Sequence, residues 1–178
     1  MLQVFGFDRV GVLLGDLFFV DPDPSPGQEG AERGVRLEVR MLEPGELTGS
    51  IYSARPIMVG RPVWRADLLE SVDGPPGSLN RAHHHPVFRG WEPGHRVFDA
   101  DLSAHPVEWV GDQLADLEGL LRQAGVEPDE TFTEDARSLR KCVPEVTRAL
   151  GDMLAQVKSG ELAQAPSAEV SSARDSWL

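Results

Sequence analysis

Gly34-Val35-Arg36-Leu37-Glu38-Val39-Arg40-Met41 decides the fold class. Apolar side chains fall on alternate positions, with arginine, glutamate and arginine between them. A period of two sends successive side chains to opposite faces of an extended chain, so this stretch is a strand with one buried side. Toward the N-terminus, Val10-Gly11-Val12-Leu13-Leu14-Gly15-Asp16-Leu17-Phe18-Phe19-Val20 is a second β-rich run. Pro22, Pro24 and Pro26 end it, because proline donates nothing to a ladder. Toward the C-terminus, residues 51–59 and 62–72 read as two more strands parted by a Gly60-Arg61-Pro62 turn. Connections this short join antiparallel neighbours, since parallel ones need a long crossover. Asp73-Gly74-Pro75-Pro76-Gly77 is the next turn, and it can fold residues 78–85 back against 62–72. Residues 87–99 read as a structured loop with a short strand around Arg96-Val97-Phe98.

The period then changes. Val110, Leu114, Leu117, Leu121 and Ala124 are spaced by three and four, which places them on one helical face. The pattern predicts a helix over 107–124, with Ser103 as its cap, Pro106 in its first turn and Gly125 at its exit. Leu139, Val143, Val146, Leu150, Met153 and Val157 predict a second helix over 134–158, capped by Thr133 and interrupted by Pro144. The expected architecture is one α+β domain over 1–159. An N-terminal antiparallel meander within 1–100 packs against a C-terminal two-helix hairpin within 103–158. Residues 160–178 lack a periodic apolar face and are expected to form a disordered tail, with Trp177 its one large apolar side chain.

Composition narrows the function. The chain has 178 residues and a net charge of −12, and residues 101–178 hold 15 acids against 7 bases. That balance argues against nucleic-acid binding, which depends on neutralising phosphates. Cys142 is the single cysteine, so an internal disulfide and a thiolate zinc site are both excluded; the residue reads as a packed thiol on the second helix. No stretch approaches the ~20 apolar residues of a membrane-spanning helix. The first residues carry no basic flank, and a cytoplasmic location is expected. Fifteen arginines against two lysines suggest a GC-rich bacterial genome.

The chemistry is concentrated in one window. All five histidines, His83, His84, His85, His95 and His105, lie within 23 residues. On a strand, His83 and His85 share a face, and two imidazoles so placed can hold a divalent metal such as Zn, Ni, Mn or Fe. His95 and Glu92 are the candidate further metal ligands, with His105 and Asp67 as other sources. Arg65 and Asp67 also share a face, where an ion pair would orient the guanidinium. The candidate catalytic group is therefore His83, His85, Arg65 and Asp67: one histidine as base, one as acid, the arginine holding an anion. Arg65, Arg81 and Trp91 are the candidate ligand-binding residues, whereas Trp64 and Trp109 read as core anchors. Within residues 51–96 six arginines face four acids, a local excess suited to a small anionic ligand.

The His83-x-His85 pair followed by Glu92 resembles the first motif of the cupins. Six residues intervene before that glutamate where cupins place three or four, and no histidine outside the window can supply a second motif. Both departures argue against a standard cupin. Arg65-x-Asp67 on one strand with a histidine-rich strand soon after resembles the TumE-type toxin proteins over about 20 residues, which implies a ribonuclease. Two non-enzymatic readings stand beside these. The acidic helical half can dock on a basic protein partner, as an immunity protein or antitoxin does. The chain can also be a structural subunit of a homodimer or larger homo-oligomer, with its histidines merely bonded to backbone.

Overall fold

The computed structural model describes residues 1–24, 26–46, 49–50 and 56–166. Five strands, β1 (Leu2–Gly6), β2 (Val10–Val20), β3 (Ala31–Pro44), β4 (Ile57–Ser71) and β5 (His83–His85), form one sheet. Their order follows the chain and every pairing is antiparallel, so the sheet is a meander. A two-residue hairpin, β6 (Phe88–Arg89) with β7 (Glu92–Pro93), follows. Then come α1 (Ala100–Ala104), α2 (Pro106–Ala115), α3 (Leu117–Gln123) and α4 (Glu130–Ser159). The class is α+β, as the two periods imply.

The alternation in β3 decides which way the sheet faces. Val35, Leu37 and Val39 are fully buried, level with Val12 and Leu14 of β2 and with Trp64, Ala66 and Leu68 of β4. Leu102, Val110, Leu114, Leu121, Leu139, Val146 and Leu150 close this core from the helical side. Burying such side chains stabilises the fold by about 1.5–3 kcal/mol each, before the entropy of ordering the chain is set against it. Asp135, near the start of α4, ties the two layers together. Its carboxylate accepts the backbone N–H groups of Asp8 (3.0 Å), Arg9 (2.8 Å) and Val10 (3.1 Å) at the β1–β2 turn.

Several local expectations are corrected. Gly60-Arg61-Pro62 is not a turn; it lies inside β4, which runs unbroken from Ile57 to Ser71. Register shifts against β3 around Arg40 insert extra residues on the β4 side, and Pro62 sits among them, above the level where β5 begins. A bulge beside an open edge is a place where a sheet tolerates proline. Of the strand expected over 51–59, residues 51–55 lie outside the described residues.

The helix expected over 107–124 is two helices, because Asp116 ends α2 and caps α3 by accepting the Gly119 N–H at 3.1 Å. Ser103 lies within α1, whose cap is Asp99. α4 starts earlier than expected, since Asp129 rather than Thr133 accepts from the first turn, at Phe132 N. Pro144 does not divide α4: it is exposed, so its ring and missing donor fall on the solvent side. Gly160 takes the left-handed conformation, with φ of 80°, that ends α4. The chain then turns back onto the sheet, where Ala163 is buried and donates its N–H to Asp16 Oδ2 at 2.8 Å. The stretch expected as a tail is thus packed at its start, while residues 167–178, with Trp177, lie outside the described residues.

Candidate functional site

The register of β4 and β5 builds the site. Arg65 pairs with His85, Ala66 with His84 and Asp67 with His83. Pleating then separates the three consecutive histidines. His84 joins the helical side, its ring 5.0 Å from that of Trp109 and 6.4 Å from that of Trp64. His83 and His85 point to the opposite face beside Arg65 and Asp67, their rings 5.0 Å apart and nearly perpendicular. Arg36 of β3, directly opposite Asp67, completes the row.

These polar groups are buried although they lie outside the apolar core. Asp67 and His83 are each 1% exposed and His85 3%. Two loops enclose them. Arg96 bridges the loops, donating to Asp21 Oδ2 at 3.1 Å and Gln28 Oε1 at 3.3 Å. The result is a cleft of about 680 Å³, lined on its polar side by Arg36, Arg65, Asp67, His83, His85 and Arg96.

Asp67 is the hub. Arg36 grips it in a two-pronged fashion, Nε to Oδ1 at 2.6 Å and Nη2 to Oδ2 at 3.2 Å. Arg65 Nε lies 3.0 Å from Oδ2, and the Nε2 atoms of His83 and His85 lie 3.4 and 3.6 Å from the same oxygen. Burial alone would raise the pKa of this carboxyl. The charge of Arg36 with its two hydrogen bonds, and the charge of Arg65, outweigh it, so Asp67 stays ionised well below the usual carboxylate range.

Each imidazole is oriented from behind. His83 Nδ1 meets the Arg81 carbonyl and His85 Nδ1 the Gly94 carbonyl, both at 2.8 Å. A carbonyl oxygen only accepts, so both Nδ1 atoms carry the proton. In the neutral ring the Nε2 lone pair is then free, and it points at Asp67. Burial and the charge of Arg65 bring His85 down to about 4, against the opposing pull of the hydrogen bond to Gly94 and the charge of Asp67, so this ring is neutral near pH 7. Its Nε2 is buried with no hydrogen-bond partner among the described residues.

The three side chains suit a cation. One atom from each of Asp67, His83 and His85 can be chosen so that all lie within 4.8 Å of one another. Metal–nitrogen and metal–oxygen bonds of about 2.0–2.1 Å in tetrahedral array put neighbouring ligand atoms roughly 3.4 Å apart. The 3.4 and 3.6 Å separations match that spacing and exceed the ~2.7–2.9 Å of a charge-assisted hydrogen bond. Backbone carbonyls behind the ring nitrogens are the usual outer support of histidine ligands.

The other candidate residues lie apart from this triad. His95 is exposed at the cleft wall. Glu92 is exposed on the β6–β7 hairpin, lining a neighbouring surface depression with Arg89. Trp91 is 60% exposed, and Arg40 lies over its ring at 5.3 Å. Arg81 holds the carbonyls of Gly27 and Glu29, so its guanidinium braces a loop. His105 is exposed at the start of α2, beside Glu108.

Sequence reasoning missed two residues. Arg36 reads as the solvent side of β3, and only its register with Asp67 reveals it. Glu32 is 2% exposed, its two oxygens lack hydrogen bonds among the described residues, and Arg81 Nε is 3.9 Å away. Burial raises its pKa, with Arg96, His83 and Arg81 pulling the other way. No protein-family model, curated protein or solved structure matches the chain, so the functional reading rests on this geometry. Among the described residues, no helix is long and apolar enough to cross a membrane.

Proposed function

We propose that the cleft is a divalent metal centre, with Asp67, His83 and His85 as protein ligands, that receives a small anionic ligand. One observation carries this reading. Two imidazoles with committed Nδ1 atoms direct their Nε2 atoms at one buried carboxylate oxygen, at metal-ligand spacing. Two histidines and one carboxylate leave coordination positions open toward the cleft, as catalytic metal sites do. Zn, Ni, Mn and Fe all accept this donor set, and Arg36, Arg65 and Arg96 would draw an anion to the open positions. The test is metal analysis of protein purified without a histidine tag, followed by zinc titration of the stripped protein. About one metal per chain in the wild type, lost in the His83→Ala/His85→Ala double variant, supports the centre. A folded wild type that takes up no metal at micromolar zinc removes it.

A second reading draws on the guanidiniums. Arg36 and Arg65 already contact Asp67 Oδ2, adding positive charge where a cation would sit. The same groups equip the site for metal-free acid–base chemistry on a phosphodiester or acyl group, with the neutral His85 as base and Arg65 holding the anion. Hydrolysis that survives exhaustive chelation would select this reading over the first.

A further inference from the structure

Charge and shape within the cleft define the ligand more closely than "anionic". Among its lining residues Arg36, Arg65 and Arg96 supply three positive charges and Asp67 one negative. Asp21, which pairs with Arg96, subtracts another. A divalent ion on Asp67, His83 and His85 brings the balance well above a single positive charge. A phosphate dianion offsets more of that field than a monoanion does.

Arg65 is the donor left over. Arg36 is taken up by Asp67 and Arg96 by Asp21 and Gln28. Arg65 Nε, by contrast, lies near Asp67 without hydrogen-bond geometry and has no hydrogen-bond partner among the described residues. Its side chain is 12% exposed. A buried guanidinium nitrogen without an acceptor costs free energy until an oxygen reaches it. The unpartnered Nε2 of His85 is its cross-strand neighbour, so one bound oxyanion can answer to both the arginine and a metal on that histidine.

Part of the cleft lining is apolar. Phe98 is 54% exposed at the cleft, its ring 5.5 Å from that of His83, and Phe19 and Leu69 line the same space. The bridge between Val97 and His84 fixes the backbone next to Phe98, so the ring is held beside the triad by sheet hydrogen bonds. A volume of about 680 Å³ lies within the range that takes a small organic ligand whole.

We infer that the cleft binds a phosphate monoester of a flat, apolar group, with the phosphate on Arg65 and the metal and the ring against Phe98. This rests on the metal reading for its charge balance, and the experiment separates the two. Three probes are titrated calorimetrically into zinc-loaded and into chelator-stripped protein: phenyl phosphate, inorganic phosphate and benzoate. Phenyl phosphate should bind the loaded protein at least about fivefold more tightly than inorganic phosphate, the lower bound of aromatic stacking. Benzoate, a monoanion with the same ring, should bind more weakly than either. Phe98→Ala should bring phenyl phosphate down to the affinity of inorganic phosphate. Arg65→Ala should weaken both phosphates about tenfold or more. Benzoate equal to phenyl phosphate, or a Phe98→Ala protein that keeps the preference, overturns the inference. Stoichiometric zinc without phosphate binding also overturns it and leaves the metal centre standing. Phosphate binding with no zinc uptake sinks the metal centre instead, and the Phe98→Ala comparison on stripped protein then decides the ligand class by itself.

Discussion

Replacing Asp135 by alanine tests how the two layers are joined. The carboxylate is buried and accepts three backbone N–H groups from the turn between β1 and β2, one on Oδ1 and two on Oδ2. Hydrogen bonds to a charged acceptor contribute about 1.5–3 kcal/mol each, and a donor left buried without a partner costs about 1–3 kcal/mol. The three bonds share one acceptor and the turn can admit water, so the sum is not additive. A loss of about 3–5 kcal/mol is expected for Asp135→Ala. In a chain of this size that corresponds to a fall in Tm of roughly 6–20 °C. Asp135→Asn keeps one acceptor oxygen but presents an NH₂ to the remaining donor, and should fall between the wild type and alanine. Urea unfolding followed by far-UV circular dichroism reads the loss as a shift in midpoint at unchanged slope. A loss below about 1 kcal/mol for the alanine variant would refute the assignment of Asp135 as the tie between layers.

Gly94→Ala should disturb the centre without unfolding the protein, because an added methyl would sit 2.7 Å from the Val87 carbonyl oxygen and push aside the carbonyl that holds His85. Zinc affinity should drop roughly 10–100-fold with little change in urea midpoint, and unchanged affinity would count against a supporting role for Gly94. In metal-free protein the lowered pKa values of His85 and His84 make the unfolded chain bind more protons below about pH 6.5, so stability is full above that pH and declines toward pH 4. Asp67, also lowered, adds a further loss below about pH 4. Urea midpoints that stay flat between pH 7 and pH 4.5 would contradict the neutral, buried state assigned to His85. Arg81→Ala should speed amide exchange around residues 27–29 while zinc binding persists, since the side chain braces that loop and the backbone carbonyl supports His83. Loss of zinc binding with a rigid loop would reverse those two roles.

The legible parts of the chain are those where one physical pattern has one reading. Val35, Leu37 and Val39 alternate over enough residues to fix a half-buried strand, and the turn through Pro75-Pro76-Gly77 is short enough to set Asp67 against His83. Pro62 was harder, because proline ends most strands yet is tolerated at a bulge, and nothing local separates the two outcomes. Asp116 and Asp129 act as caps where Ser103 and Thr133 offered equally good side chains; the apolar face persists across both helix ends and so marks neither boundary. Arg36 illustrates the deeper limit. A charged residue on the polar side of a strand looks solvated until a neighbouring strand and two loops are laid beside it. The burial of this second face comes from residues distant in sequence, and period-two alternation carries no trace of it.

His84 faces the opposite way from its two neighbours and sits against Trp64 and Trp109, themselves stacked with ring centroids 6.0 Å apart. Half of the four tryptophans in the chain thus lie behind the three-residue strand whose other side carries the site. Any ligand that draws His83 and His85 together must move the backbone of His84 between them, and the indoles are its nearest witnesses. The molecule carries its own optical reporter: emission from that pair should register occupancy of the cleft through the thickness of a single strand, with no dye attached and no residue of the site altered.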